Sequence, residues 1–401
     1  MSRNTAKNGS GPAKRKTRIV RKMLIPVLII VAIVALLTLT ACSKDEEVPE
    51  LEVLAQQPVA GAPGETEQEV EFPVDEAPEP TEPPIHGEIT GIDCTNPLTG
   101  VTMDKGKTVN RPLLISLANT ADAHPLNGIS EADILYEFLV EGGITRFLAL
   151  YQDFTDVAKV GCIRSARHYT VEIAQSYDGI LLTAGGSPQA LSYVRSSGVP
   201  HLNEVEGPRR EVFYRDRNRI SGRRMESMHS VVTTNERLLQ WLPKYDFRLT
   251  HEEDFETALN FTENGTPTSG STANRVVARF SAGKTTTFTY NSDKKVYRVN
   301  QFNRELTDAN NGANPEFTNI LILKTSVRGI PGDEAGRQNV LTTGEGEGYF
   351  VCGGKFTEIK WSRQNNASQY VYTNKDGSDL ELGVGRTFIC IIPTTMDADF
   401  S

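Results

Sequence analysis

The feature that most constrains this chain is an uncharged, strongly apolar run near its N-terminus, from Met23 to Thr40. Residues 1–41 contain eight Lys and Arg and no Asp or Glu, and most of these basic side chains directly precede the run. A basic segment, an apolar segment and small residues at its end are typical of an export signal. The pattern therefore predicts that residues 1–41 direct the chain out of the cytoplasm and that the folded part begins beyond them.

The apolar run ends in Leu39-Thr40-Ala41-Cys42, which resembles the lipobox at which bacterial lipoproteins are cleaved and acylated. On this interpretation Cys42 begins the mature chain and carries the lipid, such as palmitate, that anchors it to the cell membrane. The alternative is an uncleaved transmembrane helix, because the run is nearly long enough to cross a bilayer. Both interpretations make the membrane a partner and place the remaining chain outside the cytoplasm.

An acidic, proline-rich segment follows the signal. Residues 42–85 contain thirteen Asp and Glu and one Lys, and they have too few apolar side chains to offset the entropy cost of ordering. We therefore expect 42–94 to be a disordered linker. The body from 86 to 401 has 33 basic and 38 acidic residues, and this balance argues against nucleic-acid binding.

The folded part is expected to contain two domains joined by turn-forming residues at 263–273. In 95–262, short strands alternate with amphipathic helices, which is typical of an α/β or α+β domain. The helices are predicted at Ala166–Tyr177, Pro188–Ser196 and Thr234–Leu242. In 274–401, eight short strand patterns and no long helix predict a β-rich domain, sandwich or barrel-like.

A predicted hairpin supplies the first candidate site residues. Gly142-Gly143 separates two apolar runs, and a two-residue loop would place Arg146 opposite residue 139. Glu137, Glu141 and Arg146 would then share one face of the hairpin. The two carboxylates could act as acid and base in glycan hydrolysis or transglycosylation, or could form a cross-strand salt bridge. Residues four apart on a strand lie about 13 Å from each other, which disfavours the catalytic pair.

A second motif, Arg164-Ser165-Ala166-Arg167, directly precedes the first predicted helix, with Ser165 as candidate N-cap. Cationic side chains at this end oppose the helix dipole unless an anion lies between them. A further strand-to-helix turn, Gly185-Gly186-Ser187, offers backbone N–H groups and could face the same pocket. The pattern predicts a site for an anionic cell-wall polymer or a peptide carboxylate. Its predicted residues are Arg146, Arg164, Ser165, Arg167, Gly185, Gly186 and Ser187. Alternatively, these arginines pair with carboxylates elsewhere in the chain.

The remaining reactive residues give weaker patterns. Seven arginines lie between 209 and 224 and could bind anions or belong to a loop with matching carboxylates. Outside the cytoplasm the cysteines after Cys42 could form disulfides, with Cys352–Cys390 as the most plausible pair because both residues lie in predicted strands. Equally, all four could remain unpaired thiols. These cysteines are Cys94, Cys162, Cys352 and Cys390. No metal-ligand or cofactor motif occurs, so neither a metal nor a cofactor is expected.

Several motifs together resemble the YerB-like lipoprotein family. They are Asn110–Pro112, Glu131–Glu137, Val140–Phe147, Ile163–Arg167, Gly185–Ala190, Tyr214–Asp216, Gly354-Lys355, Trp361, Asp376-Gly377 and Gly385–Phe388. The family's two regions are domains of unknown function, so the resemblance implies a two-domain lipoprotein and no particular reaction. This chain differs from the family pattern at Cys162, where Pro is usual, and at Met228-His229-Ser230, where Pro-His-Asn is usual.

Overall fold

The structure is a computed structural model that describes residues 94–104, 106–206 and 210–401. The export signal, Cys42 and all but the last residue of the expected linker 42–94 lie outside the described residues. The described residues fall within a compact unit that spans Pro78–Ser401. Within this described part, no helix combines the length and the apolar character needed to cross a membrane.

Helices are few and strands are many, as the sequence predicts. The α-helices of the described residues are α1 (His168–Ser176), α2 (Pro188–Ser197) and α3 (Asn235–Trp241). The strands, in chain order, are β1 (Leu113–Asn119), β2 (Ile134–Leu139), β3 (Thr145–Tyr151), β4 (Lys159–Gly161), β5 (Ile180–Thr183), β6 (His201–Asn203), β7 (Tyr214–Arg215), β8 (Val231–Thr234), β9 (Asn260–Thr262), β10 (Ser271–Thr272), β11 (Arg275–Ser281), β12 (Lys284–Asn291), β13 (Val296–Gln301), β14 (Arg304–Glu305), β15 (Glu316–Phe317), β16 (Asn319–Thr325), β17 (Val327–Gly329), β18 (Gln338–Val340), β19 (Gly344–Cys352), β20 (Lys355–Arg363), β21 (Val371–Asn374), β22 (Glu381–Gly383), β23 (Thr387–Pro393) and β24 (Ala398–Phe400).

Eleven strands of the described residues form one mixed sheet, to which both halves of the chain contribute. Its order is β10-β20-β19-β16-β23-β2-β3-β1-β5-β6, and β21 also pairs with β20. β23 lies between β2 and β16 and is parallel to both. The positions of the expected domain boundaries, including the linker at 263–273, stay a prediction.

A second sheet covers one face of the first. It has the order β14-β13-β12-β11-β24, with β15 paired to β13. Phe388 of β23 anchors the contact, because its ring lies 4.9 Å from the ring of Phe288 and 5.2 Å from that of Phe317. On the first sheet, Phe388 also meets Phe147 of β3 edge-on. Two sheets packed through aromatic side chains confirm the predicted β-rich character of the C-terminal half.

The helices α1 and α2 pack on the opposite face of the large sheet. Tyr169 of α1 is fully buried there, with its ring 5.3 Å from that of Phe138 and its hydroxyl donating to the carbonyl of Leu139. α2 begins as predicted, since the Ser187 side chain accepts from the N–H of Ala190. The two faces of the sheet are thus covered differently, one mainly by the second sheet and the other by α1, α2 and the strand pair β17–β18.

Of the two alternatives for the cysteines, the unpaired one is found, because all four described cysteines are free thiols. β16 lies between β19 and β23 in the large sheet, so Cys352 and Cys390 are not on neighbouring strands. Cys352 is opposite Asn319 of β16 and Cys390 is opposite Ile322, three residues further along. Side chains alternate between the faces of a strand, so these two thiols lie on opposite faces of the sheet.

Candidate functional site

The hairpin of β2 and β3 has a register one residue away from the predicted one. Leu139 is opposite Thr145, and Phe138 is opposite Arg146. The reason is the loop, which closes by a 3-10 turn at Glu141–Gly143 and not by a two-residue turn. A shift of one residue moves every side chain to the other face. Arg146 therefore lies on the helix-covered face of the sheet.

Glu137 consequently lies on the other face, beneath the second sheet, and is fully buried. Its carboxylate accepts hydrogen bonds from Asn119 Nδ2 (2.9 Å), Thr145 Oγ1 (2.6 Å), Thr286 Oγ1 (2.7 Å) and Gln301 Nε2 (3.1 Å), and Lys284 Nζ lies 3.5 Å away. Such a network satisfies a buried carboxylate. It leaves Glu137 enclosed by protein, so the structure does not bring this residue to a surface where a substrate could bind.

Glu141, Arg146 and Arg167 do come together. Arg167 Nε donates to Glu141 Oε2 at 3.1 Å, and Arg167 Nη2 is also paired with this carboxylate. Arg146 Nη2 lies 3.5 Å from Glu141 Oε1, and its Nη1 donates to the carbonyl of Ser165 at 2.6 Å. Both arginine side chains are about 5–6% exposed, whereas that of Glu141 is 30% exposed. Two buried guanidinium groups thus share a single, more exposed carboxylate.

The electrostatics of this cluster follow from burial and like charge. Burial lowers the pKa of Arg146 to about 9, and the neighbouring Arg167 adds to the effect. Partial burial acts to raise the pKa of Glu141, but hydrogen bonds and charge from Arg167 and Arg146 outweigh it, and the pKa lies below its ordinary value. The Glu141 carboxylate is therefore held ionised. The lowered pKa of Arg146 reflects positive charge that this one carboxylate does not fully balance.

The other predicted site residues lie directly beside this cluster. Ala166 and Gly186 form a bridge between the two strand-to-helix turns, with Ala166 N donating to the carbonyl of Gly185 at 2.9 Å. Gly185 has a φ of 85°, and a Cβ added there would lie 3.1 Å from Ser165 Oγ. Arg164 reaches outward, and its Nη1 donates to the carbonyl of Met228 at 2.9 Å. The expectation that both turns face one site is consistent with these contacts.

Most of the neutral donors expected for a ligand are already used by the protein. Ser165 does not cap α1, because the helix begins after Arg167 and the Ser165 hydroxyl donates to the carbonyl of Ala184. The N–H of Gly185 donates to Asn203 Oδ1 at 2.6 Å, and that of Ser187 donates to the carbonyl of Ala166. Among the described residues, the N–H of Gly186 has no partner and stays available to a ligand.

The cluster lies where a ligand site is common in sheets with parallel strands. β1, β5 and β6 are parallel neighbours, and the turn at Gly185–Ser187 follows the carboxyl end of β5. The Arg164–Arg167 turn follows β4 of the separate β4-β8-β7 sheet, and the N–H of Arg164 donates to the carbonyl of Ser116 in β1. Asn203, the last residue of β6, was not predicted as part of the site. Its Oδ1 accepts from Gly185, while its buried Nδ2 has no partner among the described residues. The only signal in the sequence is an Asn at the end of a short strand.

The arginine-rich segment proves to be mainly structural where it is described. Arg219 is buried and donates to the carbonyls of His229 and Pro125, both at 2.7 Å. Arg215 pairs with Glu204 at 2.9 Å, and Arg223 donates to backbone carbonyls. Within the described ranges, no group of three or more His, Cys, Asp or Glu could hold a metal ion.

Comparison with known proteins defines the class of the chain. Models of a protein of unknown function, DUF3048, match it twice: the N-terminal domain at residues 98–248 and the C-terminal domain at 276–389. The chain therefore belongs to the DUF3048 family, and the resemblance inferred from the motifs is confirmed.

A curated sequence and a crystal structure that resemble this chain both carry the name YerB and come from Bacillus subtilis. One, of strain 168, is named "Putative lipoprotein YerB" and is 28% identical over 307 residues, which is 76% of this chain and 88% of that protein. The crystal structure of the YerB protein from Bacillus subtilis matches with a TM-score of 0.65 at 27% identity, covering 76% of this chain and 99% of that chain.

Proposed function

We propose that this protein is a lipoprotein anchored to the outer side of the cytoplasmic membrane through Cys42, and that it binds an anionic ligand of the cell envelope. The name of its Bacillus subtilis relative and the lipobox-like Leu39–Cys42 support the anchor. The charge balance around Glu141 supports the proposal of an anionic ligand. Arg146 and Arg167 share this one carboxylate, and with the adjacent Arg164 they carry more positive charge than a single carboxylate can balance.

The excess charge has a direct energetic consequence. Guanidinium groups held close together in a poorly hydrated setting repel each other unless an anion compensates them. A phosphate or carboxylate group accepts paired hydrogen bonds from a guanidinium fork, so either group would relieve the repulsion. An anionic wall polymer or a peptide carboxylate is therefore the ligand class that we propose for Arg146, Arg164 and Arg167, with the Gly186 N–H as a neutral donor.

The test compares salts at equal ionic strength on the full-length protein. Phosphate or sulfate should raise the unfolding temperature above its value in chloride, because a ligand that binds only the folded state stabilises it. Arg164→Ala should remove this gain with little other effect, since Arg164 is the most exposed of the three arginines. Arg195→Ala, an exposed arginine of α2, serves as the matched control.

Two results would contradict the proposal. If Arg164→Ala lowers the unfolding temperature equally in every salt, the arginines are internal partners and no anion binds. If the protein hydrolyses purified wall material and Glu137→Gln or Glu141→Gln abolishes this, the alternative of a glycan hydrolase or transglycosylase replaces it. The enclosed carboxylate of Glu137 favours binding over hydrolysis.

A further inference from the structure

A groove of about 610 Å³ lies between α1, α2 and the strand pair β17–β18. This volume is within the range of small-ligand sites. None of the three arginines proposed to bind an anion lines the groove. Any ligand bound there therefore defines a site separate from the arginine cluster, and the inference below does not rest on the proposed anion binding.

Hydrogen bonds within the protein connect the walls of the groove without any ligand. His168 Nε2 of α1 is 2.8 Å from Asn339 Oδ1 of β18, so the strand pair is fastened to the helix. The Tyr193 hydroxyl of α2 donates to Gln175 of α1 at 2.5 Å. The buried Arg363 donates at 2.6 Å to the carbonyl of Asn366, which lies at the groove. A preformed site loses less entropy when it binds.

The groove combines three kinds of surface with one carboxylate, that of Glu172, whose Oε2 accepts a hydrogen bond from Thr342 Oγ1. Tyr193, Ile330 and Pro331 supply apolar area, and the hydroxyl of Tyr193 is already engaged, so its ring is the part that a ligand would contact. Neutral groups that donate and accept hydrogen bonds also line it, such as Asn366 and Ser192. Arg328 is exposed at the groove and forms no ion pair with any described residue.

We propose that this groove binds an oligosaccharide that carries a carboxylate. A sugar ring has an apolar C–H face, which fits the Tyr193 ring, and edge hydroxyls and N-acyl groups, which fit neutral amides and hydroxyls. The unpaired Arg328 supplies the charge complement for one acidic substituent. A purely apolar ligand would leave the amides and Arg328 without partners, which carries a desolvation cost.

The test uses two disaccharides that differ by one lactyl ether, which carries the carboxylate. The full-length protein in detergent is titrated calorimetrically with N-acetylglucosaminyl-N-acetylmuramic acid and with neutral di-N-acetylchitobiose. We expect both to bind, the acidic one roughly tenfold more tightly, as one charge-assisted hydrogen bond allows. Arg328→Gln should remove this preference and leave the neutral sugar unaffected. Tyr193→Ala should weaken both, while Tyr193→Phe, which keeps the ring, should not.

The controls separate this site from the arginine cluster. Arg195→Gln changes an exposed arginine of the same helix, α2, that does not line the groove, and it should preserve the acidic preference. Arg164→Ala should change neither titration, so failure of the anion proposal would not affect this one. The inference is overturned if neither sugar binds, if the preference survives Arg328→Gln, or if a short acidic peptide such as Ala–Glu binds more tightly than both sugars.

Discussion

At the scale of single residues, Glu137 and Arg146 illustrate how a one-residue change of strand register decides which side chains can contact each other. Sequence alternation predicts which side chains share a face, but only the loop decides which residues are opposite each other. Here the loop places Thr145 opposite Leu139, so that the Thr145 hydroxyl, and not the Arg146 guanidinium, donates to Glu137. The residue types of the site could be predicted, whereas the separation of the two carboxylates onto different faces could not.

The residue beside this network that should respond to pH is His124. Its Nε2 donates to Asn119 Oδ1 at 2.8 Å, and burial, helped by the charge of Lys284, lowers its pKa from 6.5 to about 3. In the unfolded chain the same imidazole takes up a proton near pH 6.5. The unfolded state therefore binds more protons between pH 6.5 and 3, and the stabilising contribution is lost as the pH falls through this window.

His124→Gln should make the free energy of unfolding less dependent on pH in that window. The expected reduction of the slope is about 1.4 kcal/mol per pH unit, which corresponds to one proton. Urea unfolding at a series of pH values measures it, and His168→Gln, a change at a less buried histidine, is the control. An unchanged slope in the His124 variant would mean that the imidazole takes up its proton over the same pH range in the folded and unfolded states.

At the scale of elements, helix ends follow from local sequence signals, whereas pairing between distant segments does not. α2 begins and ends as its sequence indicates, because Ser187, Pro188 and Gly198 specify the helix ends through contacts within a few residues. α1 begins later than predicted, because the extended segment at Ser165 and Ala166 pairs with the turn at Gly185 and Gly186. That pairing joins positions about twenty residues apart, and no local pattern encodes it.

The turn of the β2–β3 hairpin gives a prediction about backbone conformation alone. Gly142 has a φ of 66°, and no atom of the described residues would lie within 4 Å of an added Cβ. Gly142→Ala should therefore destabilise the protein by about 1 kcal/mol through left-handed strain, and Gly142→Asn by less. Urea unfolding measures both variants.

The control for this prediction is Gly283→Ala in the β11–β12 turn. Gly283 has equally open surroundings among the described residues but lies outside the left-handed region. Its substitution should be nearly neutral. Equal losses at Gly142 and Gly283 would show that backbone conformation is not the cause.

At the scale of the whole molecule, β23 joins what the sequence presents as two parts. Composition and strand spacing predict the character of each part, and the family models match them separately. The shared sheet could not be predicted, because β2 and β23 pair across a sequence separation that single-sequence patterns do not reach. Thr387 N donates to the carbonyl of Asp133 at 3.0 Å, directly linking the two parts.

We expect the two parts to stay together after the chain is cut between them. A protease site inserted in 263–273 and cleaved should leave two fragments that co-elute in size-exclusion chromatography, because β23 pairs with strands on both sides. They should separate only in denaturant. Two fragments that elute apart under native conditions, each with its secondary structure retained, would contradict this expectation.

The proposed anchor also belongs to this scale and can be tested directly. Cells that express the full chain are labelled with a fatty-acid analogue, and Cys42→Ala should abolish labelling. Cys94→Ala is the matched control, because it changes the next cysteine of the sequence and leaves the lipobox-like segment intact. Equal labelling of the Cys42 variant and the unaltered chain would refute the lipid anchor.

The central place of β23 also bears on the order in which the sheet can form as the chain is synthesised. Glu137 is paired with Cys390, some 250 residues later, so β2 stays without one neighbour until β23 has been synthesised. Until then the edge of β2 that faces β23 has no strand to pair with. Since β23 lies close to the end of the chain, the complete large sheet can form only after nearly all of the polypeptide is available, and its closure depends on contacts between residues far apart in the sequence.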